Sequence, residues 1–202
     1  MIDLASDRKM RIVEFLLEKK EFTQYGVKKE LKLGMSVVNQ SFGFLLDKGI
    51  IGKSGKKYAL KDAVGLVELT AFFRNMEKLK IMELSTSLEK KDVLKILPDK
   101  AILCMETALE KYSNYYVSNR ICFYSDMKTA AELRKKISFK PGNKTVVIAY
   151  REKPKVFKTE TSGKHRQTGR IRTIIDLFSD KKGNAAEGLV KQLWGKMHEK
   201  SY

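Results

Sequence analysis

Cysteine, histidine, proline and tryptophan are all scarce in this 202-residue chain, with two Cys, two His, three Pro and one Trp. Two Cys and two His fall short of the about four N/S ligands that a protein-built zinc or iron–sulfur site takes, so no metal and no cofactor is expected. Cys104 and Cys122 form no CxxC pair; they read as two small core residues, and nothing implies an oxidising compartment. No uninterrupted apolar run exceeds Val146-Val147-Ile148-Ala149-Tyr150, far short of the ~20 residues of a membrane-spanning helix. Membrane is therefore not an expected partner. The opening Met1-Ile2-Asp3-Leu4-Ala5-Ser6-Asp7 has neither a basic nor an apolar leader region, so no signal peptide is expected and the location reads as cytoplasmic. Repeats and low-complexity tracts are lacking as well.

Negative charge is the other shortage. Lys and Arg number 41 against 24 Asp and Glu, a formal net charge of +17. Such an excess points to a polyanionic partner through attraction to phosphate, and carries no information about fold. It is also uneven. Residues 138–172 hold 10 basic and 2 acidic residues, net +8, against +5 for 1–62, +3 for 63–137 and +1 for 173–202. A general Lys bias of the thermophile kind would bring Glu with it, and this stretch has only Glu152 and Glu160.

What is present in the first sixty residues has a recognisable order. Ser6 is placed to cap a helix whose stripe is Ile12, Val13, Phe15, Leu16 and Leu17. Thr23 caps a short second helix ending near Leu31, and Lys32-Leu33-Gly34 is a stop with Gly at the turn. Ser36 opens a third helix in which Val38, Phe42, Leu45 and Leu46 are buried, while Ser36, Gln40, Gly43 and Asp47, flanked by Asn39, lie opposite. Phe44 falls off the buried stripe. Gly49 ends this helix, Ile50-Ile51-Gly52 and Lys57-Tyr58-Ala59-Leu60 read as strands, and Lys53-Ser54-Gly55-Lys56 is a basic turn between them. Helix, helix, short turn, helix is the helix-turn-helix order, and with the "LLDKGIIGKSGKKYAL" hairpin the segment resembles the winged helix-turn-helix family. The resemblance implies a third helix in the major groove and a wing against the DNA backbone or minor groove.

Side-chain chemistry agrees with a double-stranded DNA partner. Asn39 and Gln40 are the residue types that pair bidentately with adenine, and Ser36 and Gly43 permit close approach. Thr23, at the amide end of the second helix, and Lys53, Lys56 and Lys57 suit phosphate. The third helix carries no Arg, so guanine readout is not evident. The bland alternative is a winged helix used for protein contact.

Further along, Asp62 starts a helix with Leu66, Leu69, Phe72, Phe73, Met76 and Leu79 as its stripe, a connector spanning 63–84 that would pack on the first module or pair two copies in a homodimer. Ser85-Thr86-Ser87 reads as a linker. Helices are expected over Lys90–Leu97, Asp99–Lys111, Met127–Ile137, Arg170–Phe178 and Ala185–Met197, and strands over Tyr115–Tyr124, Lys144–Tyr150 and Val156–Thr159, with Pro141-Gly142-Asn143 as a turn. The expected fold class is α+β: a winged helix-turn-helix at 1–62, the connector at 63–84, and at 85–202 an α/β domain with a small sheet flanked by helices.

Three stretches, "AILCMETALEKYS", "YYVSNRICFYSD" and "TGRIRTIIDLFSDKKGNAAEGLVKQLW", resemble the abortive-infection AbiEi antitoxins, with Arg172-Thr173-Ile174-Ile175-Asp176-Leu177 close to a T-x-x-R-T-L-L-D-L segment of that family. The resemblance implies a transcriptional autorepressor that counters a nucleotidyltransferase-like toxin. This chain departs from the commoner pattern in its Lys richness and its long connector. Read on its own residues, Arg172/Asp176 is an i,i+4 surface pair. A second basic surface is expected from Lys153, Lys155, Lys158, Lys164, Arg166, Arg170 and Arg172, with Gly163–Arg170 as a Gly-bounded loop opening a helix, a setting that favours phosphate; the bland reading is a solvated loop.

No catalytic residue stands out. There is no P-loop and no GxGxxG, and neither His165 nor His198 has the setting of a base beside a nucleophile. A metal-dependent nuclease or an RNA-processing protein targeted by a winged helix is the alternative from another class. Its carboxylates would be Asp126, Glu152 and Glu160, but Glu152-Lys153-Pro154 departs from the E-x-K strand spacing.

Overall fold

The computed structural model describes residues 2–113, 116–152 and 157–195. The chain is mixed α+β and divides into two units, one of residues up to Arg74 together with those from Val190 on, the other Asn75–Leu189.

The first unit is built from α1 (Asp7–Glu18), β1 (Glu21–Phe22), α2 (Gln24–Leu31), α3 (Met35–Asp47), β2 (Ile51–Ser54), β3 (Lys57–Leu60) and α4 (Ala63–Phe73). The strands form an antiparallel sheet in the order β1-β3-β2. Buried Ile12, Val13, Leu16, Val27, Val38, Phe42 and Leu45 make the helical core. Phe42 is its hub, edge-on to Phe22 of β1 at 5.7 Å and to Tyr58 of β3 at 4.9 Å between ring centroids. Edge-to-face packing of this kind fixes orientation as well as burying area, so it sets the roll of α3 and hence which of its residues meet solvent. Thr23 caps α2 through Oγ1, which accepts the Gly26 N–H at 3.0 Å, and Arg11 Nη2 donates to Leu31 O at 2.7 Å, satisfying a carbonyl at the other end. The residue with left-handed backbone before α3 is Lys32 (φ 52), while Gly34 is the N-cap of α3 with ordinary φ; the expected glycine turn is thus displaced by two residues. Ser36 accordingly lies in the first turn, one residue after Met35 begins the helix. Ser6 occupies the N-cap of α1, but its hydroxyl donates back to Asp3 O. Trp194, in the last helix, donates its indole N–H to Leu17 O at 3.1 Å.

The second unit comprises α5 (Met76–Leu79), β4 (Lys80–Thr86), α6 (Lys90–Ile96), β5 (Ile102–Leu103), α7 (Met105–Tyr112), β6 (Arg120–Ser125), α8 (Met127–Ile137), β7 (Thr145–Arg151), β8 (Thr159–Ser162), β9 (His165–Thr168), α9 (Arg170–Ser179), a 3-10 turn (Gly183–Ala186) and the start of α10 (Glu187–Trp194). Its six-stranded sheet runs β4-β7-β6-β5-β9-β8, with β6–β7 and β5–β9 parallel and the other pairs antiparallel. Alternate side chains of a strand face opposite ways. Ile121, Phe123, Val147 and Ala149 therefore meet Val93 of α6, Leu97 at its C-cap, and Ala130, Leu133 and Ile137 of α8 in an apolar layer. Cys122 and Tyr124 point the other way, to polar partners on α7 and α9.

Between Ala63 and Met105 the folded chain corrects three expectations. The helix predicted over 63–84 stops at Phe73. Asn75 intervenes as a cap, its Oδ1 accepting the Lys78 N–H at 3.0 Å, and Lys80–Thr86 then pairs with β7 as an edge strand. Apolar spacing runs on across the break from Leu66 to Leu79, and periodicity is blind to a cap. Ser85-Thr86-Ser87 is for the same reason no linker: Thr86 is fully buried and donates to Lys140 O. The helix expected from Asp99 begins only at Met105, because Ile102 and Leu103 pair with both β6 and β9. Met105 takes up left-handed backbone (φ 50) at that strand-to-helix corner.

Candidate nucleic-acid interface

On α3 the side chains of Ser36, Asn39 and Gln40 and the backbone of Gly43 are exposed together. They occupy the side of the helix opposite Val38, Phe42 and Leu45, whose burial holds it down. Gly43 is informative because its own chain does not require it. A Cβ built there meets nothing within 4 Å, and glycine inside a helix costs about 0.5–1 kcal/mol relative to alanine. The bare backbone leaves a shallow place on the exposed face.

The β2–β3 hairpin beside it turns at Gly55 (φ 59), a left-handed position that favours glycine. Lys53, Lys56 and Lys57 are all exposed on it. They are not equivalent. Lys57 Nζ lies 2.9 Å from Glu21 Oε2 of β1, and that hydrogen bond, with the carboxylate's charge, raises its pKa. Lys53 lies over the Tyr58 ring at 5.9 Å, and Lys56 has no acidic partner among the described residues. Thr23 is half-buried, its hydroxyl oxygen used in the α2 cap. Tyr25, in the first turn of α2 and 64% exposed, does not stand out by periodicity; Lys28 lies over its ring at 6.0 Å. Its only sequence signal is its place two residues after the cap.

The residues expected to make a second basic surface do not share one setting. Lys153 and Lys155 lie outside the described residues, as do Tyr115, Val156 and Met197 of the elements expected there, and His198. Lys158, Lys164, Arg166 and Arg170 are exposed. Gly163–Thr168 is not a loop but the turn and second strand of the β8–β9 hairpin. Within it His165 is buried, its Nε2 2.9 Å from Leu94 O. Lys164 Nζ is 3.4 Å from Asp99, and the Arg170 guanidinium lies 5.5 Å from the Tyr112 ring centre.

Arg172 is not on the surface at all. It is 2% exposed, with Nη2 2.6 Å from Glu152 and Nε 3.1 Å from Asp176, itself fully buried. The guanidinium sits 4.8 Å from the Phe157 ring centre and 5.8 Å from that of Tyr124, whose hydroxyl donates to Asp176 Oδ2 at 2.7 Å. The two residues keep the i,i+4 pairing but are buried instead of on the surface, because the face of α9 that carries them lies against Tyr124 of β6. A second ion cluster lies in the same unit. Glu106, 1% exposed, has Lys182 Nζ at 2.7 Å, the Cys122 Sγ at 3.3 Å and Arg120 at 3.6 Å. Burial pushes the Glu106 carboxyl up, but the Lys182 ammonium more than reverses this and leaves it below the usual carboxylate range. Burial holds the Cys122 thiol well above its usual value, a core residue as expected.

Comparison of the chain with family models, with curated proteins and with solved structures finds no match in any of the three.

Two of the three carboxylates of the nuclease alternative are employed by the fold. Ser125 and Arg151 are register partners, so Asp126 and Glu152 follow neighbouring strand ends. Asp126, however, caps α8 by accepting the Thr129 N–H, Glu152 holds Arg172, and Glu160 is exposed on β8. No helix among the described residues is long and apolar enough to cross a membrane.

Proposed function

We propose that this chain is a sequence-specific, double-stranded-DNA-binding regulator, and that its first unit is a winged helix-turn-helix in which α2 and α3 are the paired helices and β2–β3 the wing. The observation that carries the reading is the exposed Ser36-Asn39-Gln40-Gly43 face of α3, unclaimed by the chain's own core and set beside a hairpin with exposed lysines. A helix of this length is about 20 Å long and suits a major groove about 12 Å wide. Asn39 and Gln40 then meet base edges, Gly43 allows close approach, and Lys53 and Lys56 meet phosphates. Lys57, tied to Glu21, is the weaker phosphate ligand of the three. The autorepressor and antitoxin roles implied by the AbiEi resemblance rest on this DNA reading. A homodimer on a repeated operator belongs to the same proposal.

Selection of bound duplexes from a random pool tests it. Wild type yields an enriched motif. Asn39→Ala with Gln40→Ala flattens the preference, at about 1–3 kcal/mol of discrimination per lost bidentate contact. Lys53→Ala with Lys56→Ala weakens all duplexes alike and reduces the slope of log affinity against log salt by about two. Unchanged preference and affinity in both doubles would overturn the proposal.

A further inference from the structure

The end of α8 and the turn after it carry a feature that the duplex reading leaves unused. Arg134, Lys135 and Lys136 form the last turn of α8, Lys140 follows, and all four are exposed. None of them makes an ion pair with a described residue, whereas other exposed lysines of this unit do, as Lys95 does with Asp92 and Lys144 with Glu89. In the chain between Lys136 and Lys140 stands Phe139, 85% exposed. An isolated apolar side chain at the surface is ordinary; its mounting on this turn is not. Lys140 N–H donates to Ile137 O at 2.9 Å, and Lys140 O accepts from the Ser87 N–H at 3.0 Å and from Thr86 Oγ1 at 2.7 Å. Pro141 bridges to Thr86. Gly142 lies so close to Ser87 that a Cβ would come within 2.7 Å of its backbone nitrogen. The ring is thus presented on pinned backbone, and no described aromatic stacks on it.

Complementing the helix dipole accounts for basic residues in a last turn, but not for the exposed ring or for Lys140 beyond the helix. An exposed π-face on fixed backbone, with unpaired cations within five residues on either side of it in the chain, is the kind of arrangement that binds unpaired bases, with stacking on the ring and phosphates on the cations. A duplex offers no open base face to such a ring. An anionic membrane would ask for a wider apolar surface than one phenyl group. We infer that Phe139 with Arg134, Lys135, Lys136 and Lys140 forms a binding site for single-stranded nucleic acid, built from none of the α3 residues and independent of the duplex reading.

The test uses the full chain and fluorescein-labelled dT and U 12-mers, measured by anisotropy, with an arbitrary 20-bp duplex and phosphatidylserine vesicles in parallel. Phe139→Ala weakens single-strand binding about five- to hundred-fold and leaves duplex binding within twofold. Phe139→Trp retains or tightens it, whereas Phe139→Leu behaves as Ala, which separates stacking from apolar burial. Lys135→Gln with Lys136→Gln lowers the salt slope by about 1.4. Because the ring is exposed, these variants keep the wild-type melting temperature. Single-strand affinity indifferent to Phe139→Ala overturns the inference. So does a Phe139 dependence seen with vesicles and not with oligonucleotides. Asn39→Ala with Gln40→Ala leaves the single-strand signal unchanged, so failure of the single-strand site and failure of the duplex reading are told apart.

Discussion

Gly43 shows how much a single position can report. Its helical backbone needs no glycine and its surroundings leave room for a methyl group, so Gly43→Ala should stabilise the fold by about 0.5–1 kcal/mol, visible as a higher urea midpoint. If α3 lies against duplex, the same methyl group meets the partner, and duplex affinity should fall while single-strand affinity stays. A variant both more stable and equally competent for duplex would mean that the bare backbone at Gly43 is not a point of contact with DNA. Lys57 is the opposite case. Its place on the basic hairpin was plain from the order of residues, whereas its Glu21 partner was not, because β1 pairs with β3 across 36 positions of chain.

At the scale of elements, α9 is held against the sheet by charge rather than by apolar contact alone. Arg172 bridges Asp176 on the same helix to Glu152 just past β7, sandwiched near Phe157 and Tyr124. Taking one member from a buried ion cluster strands the others without compensation, at a cost of about 3–5 kcal/mol. Arg172→Ala should therefore lower stability by that order in urea unfolding. Arg172→Met with Asp176→Leu and Glu152→Gln, which removes the charges together, should recover much of the loss. Equal destabilisation by both would mean that packing, not stranded charge, sets the cost. The α4–β4 stretch makes a related point: a three-to-four-residue apolar rhythm continued through Asn75, yet the chain changes from helix to strand, because β7 offers ladder hydrogen bonds to Lys80–Thr86.

For the molecule as a whole, the Glu106–Lys182 pair predicts how stability follows pH. The Glu106 carboxyl is depressed in the folded state, so its contribution is complete above the unfolded carboxylate value of about 4.3 and is lost as pH falls through the lower folded one. Burial lowers the Lys182 pKa and its hydrogen bonds to Asp180 and Glu106 more than restore it. Its contribution is therefore complete below about 10.4 and is lost as pH rises past the folded value. Tyr112, pushed up to about 12 by burial, adds a decline in stability between about pH 10 and that value. The deficit of Glu106→Gln against wild type in denaturant midpoint should be flat from about pH 5 to 10 and shrink below about pH 4.3. A deficit that stayed constant down to about pH 2 would show that Glu106 is not held ionised by Lys182.

Order along the chain was enough to place the exposed face of α3, the basic hairpin, the Thr23 cap and most helices of the second unit. Each of these depends on a spacing of three or four residues, a turn glycine or a neighbouring cap, all within a few positions of one another. The six-stranded sheet, the burial of Arg172, the pairing of Lys57 and the exposure of Phe139 were settled by the folded chain alone. A strand's partner, a charge's burial and a ring's exposure depend on segments 20 to more than 60 positions away. Desolvation and ion pairing act on whatever those distant segments bring near, and no local pattern encodes that.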